Sequence, residues 1–596
     1  MAVLKDNDVV IVGAGLAGAI AAYELGKAGL SVMLIESGPA LPPSREEFVE
    51  RFFTQVKKFP ESPFAPNPNA PNARTEHVAH RNDRGQGYLD QSQSPLPFSS
   101  SYERRSGGTT WHWLGTSLRL VPNDFRMQSA YDVGVDWPIG YDELGLPQAG
   151  RAKAYYDMAE EEIGVSANVA DQNYLGIKFT RCYDYPHPGI PESLTDRFFR
   201  EGLDRANFLF DGQRVSVSPT PAGRLSRPSF IRRTCSGNSS CIPICPTQAK
   251  YDATLTLHKA FSTGNVHALF QAVASRVNRD DEGKKVTGIE VIRYESPEHL
   301  SPCGTDTVEG RIYVLAGNAI ETPKLLLHSG FRNDNIGRYL MDHPYYVRWG
   351  LTPQPTYPYR GPLATAGIES LRDGPFRKTR AAFRVDLGNE GWNLAVGDPY
   401  TTTLDWIEGS NQSQTNDGGD RLHGAALLRK LNDIFTRQFR FGFLIEQSAD
   451  RNNRVTLSDR NDALGIPRPR INYDISDYTK AGFVAAKKLS DRLFSTLHID
   501  GKRYPPGSTM GPSGRFSVDG EEFRYYGAGH LIGTYRMGTN AINSAVDKFQ
   551  RSWEFRNLFL LGSGVFPSAA TANPSLTIAA LSFWAAHTIR DQLMRK

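Results

Sequence analysis

The chain has little of several things. Its 68 Lys and Arg stand against 64 Asp and Glu over 596 residues, a formal net charge of +4. With no Lys/Arg run long enough to track phosphates, that balance gives no reason to expect a nucleic-acid partner. No stretch approaches 18 uninterrupted apolar residues, so no membrane-spanning helix is expected. The start, MAVLKDNDVVIVGAG, lacks a charged region followed by an apolar run and a small-residue cleavage site, and it reads as a buried strand. The expected location is therefore cytoplasmic, or periplasmic if the folded chain is exported with a partner. Five cysteines, three of them within eleven positions, make a poor disulfide framework. Internal repeats and low-complexity blocks are also missing.

What is present is a chain too long for one core, with 55 Gly and 38 Pro punctuating it. The opening reads strand (Asp8–Val12), glycine turn, helix (Ala17–Ala28), strand (Ser31–Ile35). Leu41–Ser100 is rich in Pro, Asn and Ser and has little periodicity, as in a segment that wraps a surface or covers a site. A helix is expected over Tyr155–Ile163, strands over Lys285–Tyr294 and Arg311–Ala316, and a strand-to-helix turn at Gly317–Gly330. Residues 345–525 are β-like and suit an inserted antiparallel layer. Strand-turn-helix grammar returns in the last 70 residues. The expected division is 1–130, 216–344 and 526–596 for a dinucleotide-binding domain, with 131–215 and 345–525 for substrate.

Gly13, Gly15 and Gly18 form G-x-G-x-x-G between a strand and a helix. The first allows the tight turn, the second lets backbone N–H groups approach a pyrophosphate, and the third lets the helix pack on the strand. Glu36, 18 residues past Gly18, can accept hydrogen bonds from a ribose diol. The recurrence of this grammar at the C-terminus, where a helix beginning near Pro574 could aim its dipole at an anionic isoalloxazine, favours FAD over a transient NAD. The turn Ser106–Trp113, SGGTTWHW, places Gly107, Gly108, Thr109 and His112 where a flavin could lie close to backbone.

TCSGNSSCIPICPTQAKY spaces Cys235, Cys241 and Cys245 as C-x5-C-x3-C with Pro246 following. Three thiolates on a polar loop suit an iron–sulfur centre. Zinc competes, although it usually takes four ligands and the nearest histidine in sequence is His258. A disulfide would leave one thiol over, and buried apolar cysteines would not need the polar loop between them; on residue chemistry alone iron–sulfur and these other readings remain open. His530 lies beside a glycine turn and Asn573 before Pro574; each has a plain structural reading, as a packed histidine and a helix cap.

GAGLAG with Glu36, SGGTTWHW, GNAIETPKLLL, MDHP (Met341–Pro344), GHLIGTYRMG (Gly529–Gly538) and ATANPSLT (Ala570–Thr577) occur in an order that resembles the glucose-methanol-choline oxidoreductases. The resemblance spans nearly the whole chain. It implies an α/β fold: a split, Rossmann-like FAD-binding domain and an inserted α+β substrate domain built on an antiparallel sheet. It also implies a catalytic pair at His530 and Asn573. A neutral imidazole is matched to the hydroxyl proton near pH 7, while the amide steadies alkoxide charge. In sugar-oxidising relatives the histidine of the aromatic turn is tethered to flavin; here that position is His112, for which a packed turn without a tether is the alternative. The cysteine segment is similar to that of the catalytic subunits of bacterial FAD-dependent glucose and fructose dehydrogenases, which implies a 3Fe-4S cluster on Cys235, Cys241 and Cys245. Ser236 departs from those relatives, which often have a second cysteine there. The resemblance further implies a sugar or related alcohol as substrate, a small chaperone-like subunit and a cytochrome c electron acceptor. An oxidase or dehydrogenase of another alcohol, and a non-catalytic flavoprotein relay, are the alternatives.

Overall fold

The computed structural model describes residues 2–40, 46, 88–100, 102–111, 113–229, 232–237, 241, 245, 247–295, 301–358, 364–389, 399–409, 421–502 and 513–595. Most of the Pro/Asn/Ser-rich segment and His112 lie outside them.

The opening strand runs Ala2–Val12, the first helix Leu16–Lys27 and the second strand Val32–Ile35. Val9, Val10 and Ile11 are fully buried, as a central parallel strand covered on both faces demands. This strand lies between Val32–Ile35 and the C-terminal half of Pro302–Leu315. Val266–Leu269 and Leu558–Leu560 extend the parallel sheet on its two sides. The N-terminal half of Pro302–Leu315 instead continues into an antiparallel meander with Val286–Tyr294 and Ala272–Arg279. One sheet is thus assembled from the start, middle and end of the chain. The last helix, Ser575–Met594, is buried along most of its length and packs against the first helix and against Tyr155–Ile163.

The second sheet has eight strands in the order Ser513–Val518, Glu521–Tyr526, Tyr345–Leu351, Gln438–Ile445, Phe383–Gly388, Ala366–Ile368, Val217–Pro219, with Asp500–Lys502 also on Tyr345–Leu351; every pairing is antiparallel. Val217–Pro219 joins this sheet from a stretch of sequence that otherwise feeds the first. Residues 345–525 also carry three helices, including the 20-residue Asp477–Thr496, so this region is less uniformly β than its Gly/Pro punctuation suggests.

Strand period explains how the second sheet is filled. Phe439, Phe441, Phe443 and Ile445 alternate with Gln438, Arg440, Gly442 and Leu444; the first set joins a core with Phe383, Val385, Phe483 and Leu489. Asp477–Thr496 covers that face. The opposite face, with its charged residues, turns toward the parallel-sheet domain. No helix among the described residues is long and apolar enough to cross a membrane.

Candidate functional site

The glycine fingerprint does what its spacing predicts. Gly13 has φ +103°, and a Cβ there would lie 2.7 Å from the Ala316 carbonyl oxygen, at the mouth of two parallel strands. A Cβ on Gly18 would come within 1.9 Å of the Gly13 oxygen, so helix and strand touch backbone to backbone. Gly107 donates its N–H to Ala14 O at 2.9 Å, and a Cβ on Gly108 would stand 3.0 Å from Gly15 Cα. The aromatic turn therefore sits directly on the glycine turn, a juxtaposition that spacing alone does not reveal. Trp111 anchors it by donating Nε1–H to Ser106 O at 2.9 Å, with the Arg105 guanidinium 4.7 Å above its ring. Thr109 Oγ1 accepts from Glu103 N at 3.4 Å. Glu36, at the end of the second strand, accepts from Ala14 N and Gly38 N, each at 2.7 Å. These residues fit a dinucleotide: bare backbone at the turn, a carboxylate at the strand end and a helix N-terminus between them.

His530 and Asn573 meet: Asn573 Nδ2 lies 3.2 Å from His530 Nε2. Pro574, not Asn573, is the N-cap of the last helix, so the amide is free of the capping role. Sheet register places the histidine. Tyr345 pairs with Tyr526 and Met341 bridges Ile532, two antiparallel contacts that bracket the segments 342–344 and 527–531. Asp342 ties these segments together, accepting from His343 N at 2.7 Å and from Ala528 N and His530 N at 3.1 Å each, and from the Ser100 hydroxyl. Burial pushes its carboxyl up to about 7, against those donors.

The same bracketing brings His343 Nδ1 to 3.0 Å from His530 Nδ1, with the rings edge-on. The other nitrogen of His343, Nε2, lies 3.1 Å from the Ala570 carbonyl, and Ala570 itself is held at φ +62°. A carbonyl only accepts, so His343 Nε2 carries hydrogen. Burial holds the His343 imidazole down to about 4, so it is neutral at pH 7 and its Nδ1 is bare. His530 must then donate from Nδ1, which leaves the lone pair of His530 on Nε2, facing Asn573. Burial, followed by the neighbouring His343 imidazole and the Arg384 charge, holds His530 well below the usual imidazole range, so it too is neutral. Arg384 Nη1 reaches Asn573 Oδ1 at 3.4 Å, which agrees with the amide nitrogen pointing to His530.

His343, Asp342 and Arg384 are the functional neighbours that residue reasoning misses. MDHP carries the first two as a motif without a role. Arg384 has only the signal of a charge alternating with Phe and Val on a buried strand.

The three cysteines separate in their environments. Cys241 and Cys245 are buried and Cys235 is half-buried. Burial pushes the Cys241 thiol up; the charges of Arg224 and Lys250 act against this, and those of Cys245 and Cys235 add to it. Among the described residues no three His, Cys, Asp or Glu side chains form a group that could hold a metal ion, so the expected convergence on one centre is not seen. Backbone bonds from Cys235 N to Leu225 O and from Gln248 N to Cys245 O pin the loop at two points. The fully buried Arg224 lies beside it, with Nη1 3.7 Å from Cys241 Sγ and, among the described residues, no hydrogen-bond partner for Nε. Lys250 connects this loop to the aromatic turn. Its Nζ donates to the carbonyls of Trp111 and Trp113, both at 2.9 Å, and of Thr110 at 3.4 Å, while Trp113 donates to Tyr251 O at 2.8 Å.

The glycine turn, the strand-end carboxylate and the sheet built from three parts of the chain define an FAD-dependent oxidoreductase, and residues 8–43 match a family model described as FAD dependent oxidoreductase. Residues 231–345 and 449–582 match the N- and C-terminal models of the GMC oxidoreductases. The chain is 30% identical to the fructose dehydrogenase large subunit of Gluconobacter japonicus over 98% of both sequences. It belongs to the GMC oxidoreductases, enzymes that act on alcohol groups. It is also 25% identical to paromamine 6'-oxidase of Streptomyces fradiae, over 99% of this chain and 92% of that one. With the gluconate 2-dehydrogenase flavoprotein of Pantoea cypripedii the figures are 22%, 99% and 95%. The fold is shared with pyridoxine 4-oxidase from Mesorbium loti, at TM-score 0.59 and 18% identity, covering 98% of this chain and 99% of that one.

Proposed function

We propose that the chain is a sugar or polyol dehydrogenase in which His530 Nε2 takes the hydroxyl proton as hydride leaves the same carbon. The observation that carries this reading is the tautomer chain from Ala570 O through His343 to His530, which leaves a bare nitrogen beside Asn573. The flavin, when bound, supplies the hydride acceptor. Gly13, Gly15, Gly18 and Glu36 would hold its dinucleotide, and Gly107, Gly108 and Thr109 would lie along it. Asn573 donates from Nδ2, so it can fix the hydroxyl oxygen and stabilise alkoxide charge while offering no lone pair there for the proton. Pro574 opens the last helix, whose N-terminal dipole adds positive potential at the same place.

The cysteine loop is read as the site of a 3Fe-4S cluster, held by Cys235, Cys241 and Cys245. One mononuclear ion would need its thiolates about 4 Å apart, from Zn–S bonds of about 2.3 Å at the tetrahedral angle, whereas a cluster spreads its ligands over separate irons. Two buried cations acting on Cys241, one of them Arg224 with no partner for Nε among the described residues, suit an anionic occupant. Such a cluster would supply one-electron transfer between flavin and a protein acceptor. Relatives named as a large subunit and a flavoprotein support partner subunits; a cytochrome c and a small chaperone-like chain are the partners proposed. The oxidases among the relatives favour a second reading, in which oxygen is the acceptor.

The test is anaerobic: D-fructose or another polyol should bleach the flavin, and the protein should carry about three irons per flavin with a 3Fe-4S signal in the oxidised state. No bleaching refutes the dehydrogenase reading. Flavin without iron refutes the cluster, and peroxide formation in air at the rate of turnover selects the oxidase.

A further inference from the structure

We infer that Arg384 and Asp386 form a subsite for a second hydroxyl of the substrate, which makes the site selective for vicinal polyols over simple alcohols. The inference rests on the alcohol-oxidation reading above and deepens it.

The strand Phe383–Gly388 sits in the middle of the antiparallel sheet, paired on both sides. Phe383, Val385 and Leu387 fill the apolar core, so by strand period Arg384 and Asp386 face the other way. That face meets the catalytic pair, since Arg384 Nη1 lies 3.4 Å from Asn573 Oδ1 and its charge acts on both His530 and His343.

Arg384 is held from behind. Glu369, 1% exposed, accepts from Nε at 3.1 Å and from Nη2 at 2.9 Å, while Nη1 donates to Asp386 Oδ1 at 2.5 Å. The guanidinium therefore keeps one full carboxylate partner even without Asp386. Asp386 differs from Glu369: its side chain is 12% exposed, and among the described residues Oδ2 receives no hydrogen bond. Gly442 stands opposite Asp386 on the neighbouring strand, and the Tyr345 phenol lies over that glycine, where a Cβ would fall 1.5 Å from Oη. Asp386 thus looks out beside a phenol rather than against a side chain of its neighbour strand. A carboxylate with an open acceptor, joined to Asn573 through the Arg384 Nη1 that touches both, is satisfied by a hydroxyl donor. A hydrocarbon substrate would desolvate that oxygen and give nothing back, whereas a second hydroxyl on the substrate would donate to it. Leaving a charged acceptor unpaired corresponds to about a 10- to 100-fold loss in kcat/KM.

The experiment compares trans-cyclohexane-1,2-diol with cyclohexanol, alongside D-fructose, on the flavin-loaded enzyme. Wild type should prefer the diol by at least about tenfold, and Asp386→Asn should collapse that preference to within about twofold, chiefly through KM. Asp386→Glu should recover part of it. Flavin content and thermal midpoint check that the variants fold, and the wild-type diol preference tests the subsite even where a variant does not. A wild type without the preference, or an Asp386→Asn that loses both alcohols equally, overturns the subsite while leaving the alcohol reading intact. A wild type whose flavin none of the three bleaches overturns both.

Discussion

Replacing His343 with leucine removes the acceptor for His530 Nδ1–H while keeping an apolar side chain of similar bulk in a fully buried place. His530 then either buries an unsatisfied N–H or moves its hydrogen to Nε2, the atom that must accept the hydroxyl proton. Leaving a buried donor unmade costs about 1–3 kcal/mol, which becomes about a 5- to 150-fold fall in the rate of flavin reduction. His343→Gln, whose amide oxygen accepts, should restore most of that rate. Rapid-mixing reduction of the flavin under anaerobic conditions separates this rate from substrate affinity, which should change little. Its pH profile gives a second readout. His530 must be neutral to act and is held well below 6.5, so the wild-type rate should persist far below that pH. His343 is itself neutral above about pH 4, so its removal takes no charge away there and the acid limb should stay well below 6.5. Stability follows the same linkage. The His343 imidazole is held near 4, below its ordinary 6.5, so the unfolded chain binds the extra proton first as pH falls. The folded state should therefore lose up to about 3 kcal/mol between pH 6.5 and 4, and the leucine variant correspondingly less. A leucine variant reduced within twofold of wild type refutes the tautomer argument.

His530→Ala should retain flavin yet fail to reduce it with substrate; near-normal reduction sinks its assignment as the base. Cys241→Ser should lower iron and acid-labile sulfide per flavin while leaving substrate-driven flavin reduction intact, and unchanged iron content would remove the cluster. Gly18→Ala forces a methyl to within 1.9 Å of the Gly13 oxygen, so it should lose bound flavin and at least about 3 kcal/mol of stability, read from absorbance and denaturant midpoint.

The flavin fingerprint was legible because its physics is local: each glycine and Glu36 has a reason that a dozen neighbours supply. The helix Tyr155–Ile163 was legible for the same cause, its ends being set by its own sequence. The proposed base was not legible from His530 alone, one of 13 histidines. Resemblance singled it out, but its protonation is fixed by His343, 187 residues away, and by a carbonyl 227 residues from His343. Lys250 gave no signal at all, because its role is to collect backbone carbonyls of residues 110–113, which have no identity in sequence. The cysteine spacing announced a metal centre more loudly than the folded loop does, since spacing says which thiols are near in sequence but not how closely their sulfurs converge.

The arrangement around Lys250 gives a way to test whether the cysteine loop takes part in the proposed redox chemistry. A lysine buried to 2% exposure is costly to keep charged, and such a residue persists where its charge is used. Its Nζ is committed to carbonyls of the turn that packs on the glycine fingerprint, while its charge acts on Cys241. A change of charge at the cysteines is therefore felt, through one ammonium group, at the turn lying along the flavin. If the loop were only a structural closure, Lys250→Met should alter stability and leave the flavin potential where it was. If the loop carries electrons, the same substitution should shift the flavin and cluster signals together, because it removes a cation that bonds the turn and acts on Cys241. Redox titration of the variant, followed by flavin absorbance and by EPR, distinguishes the two.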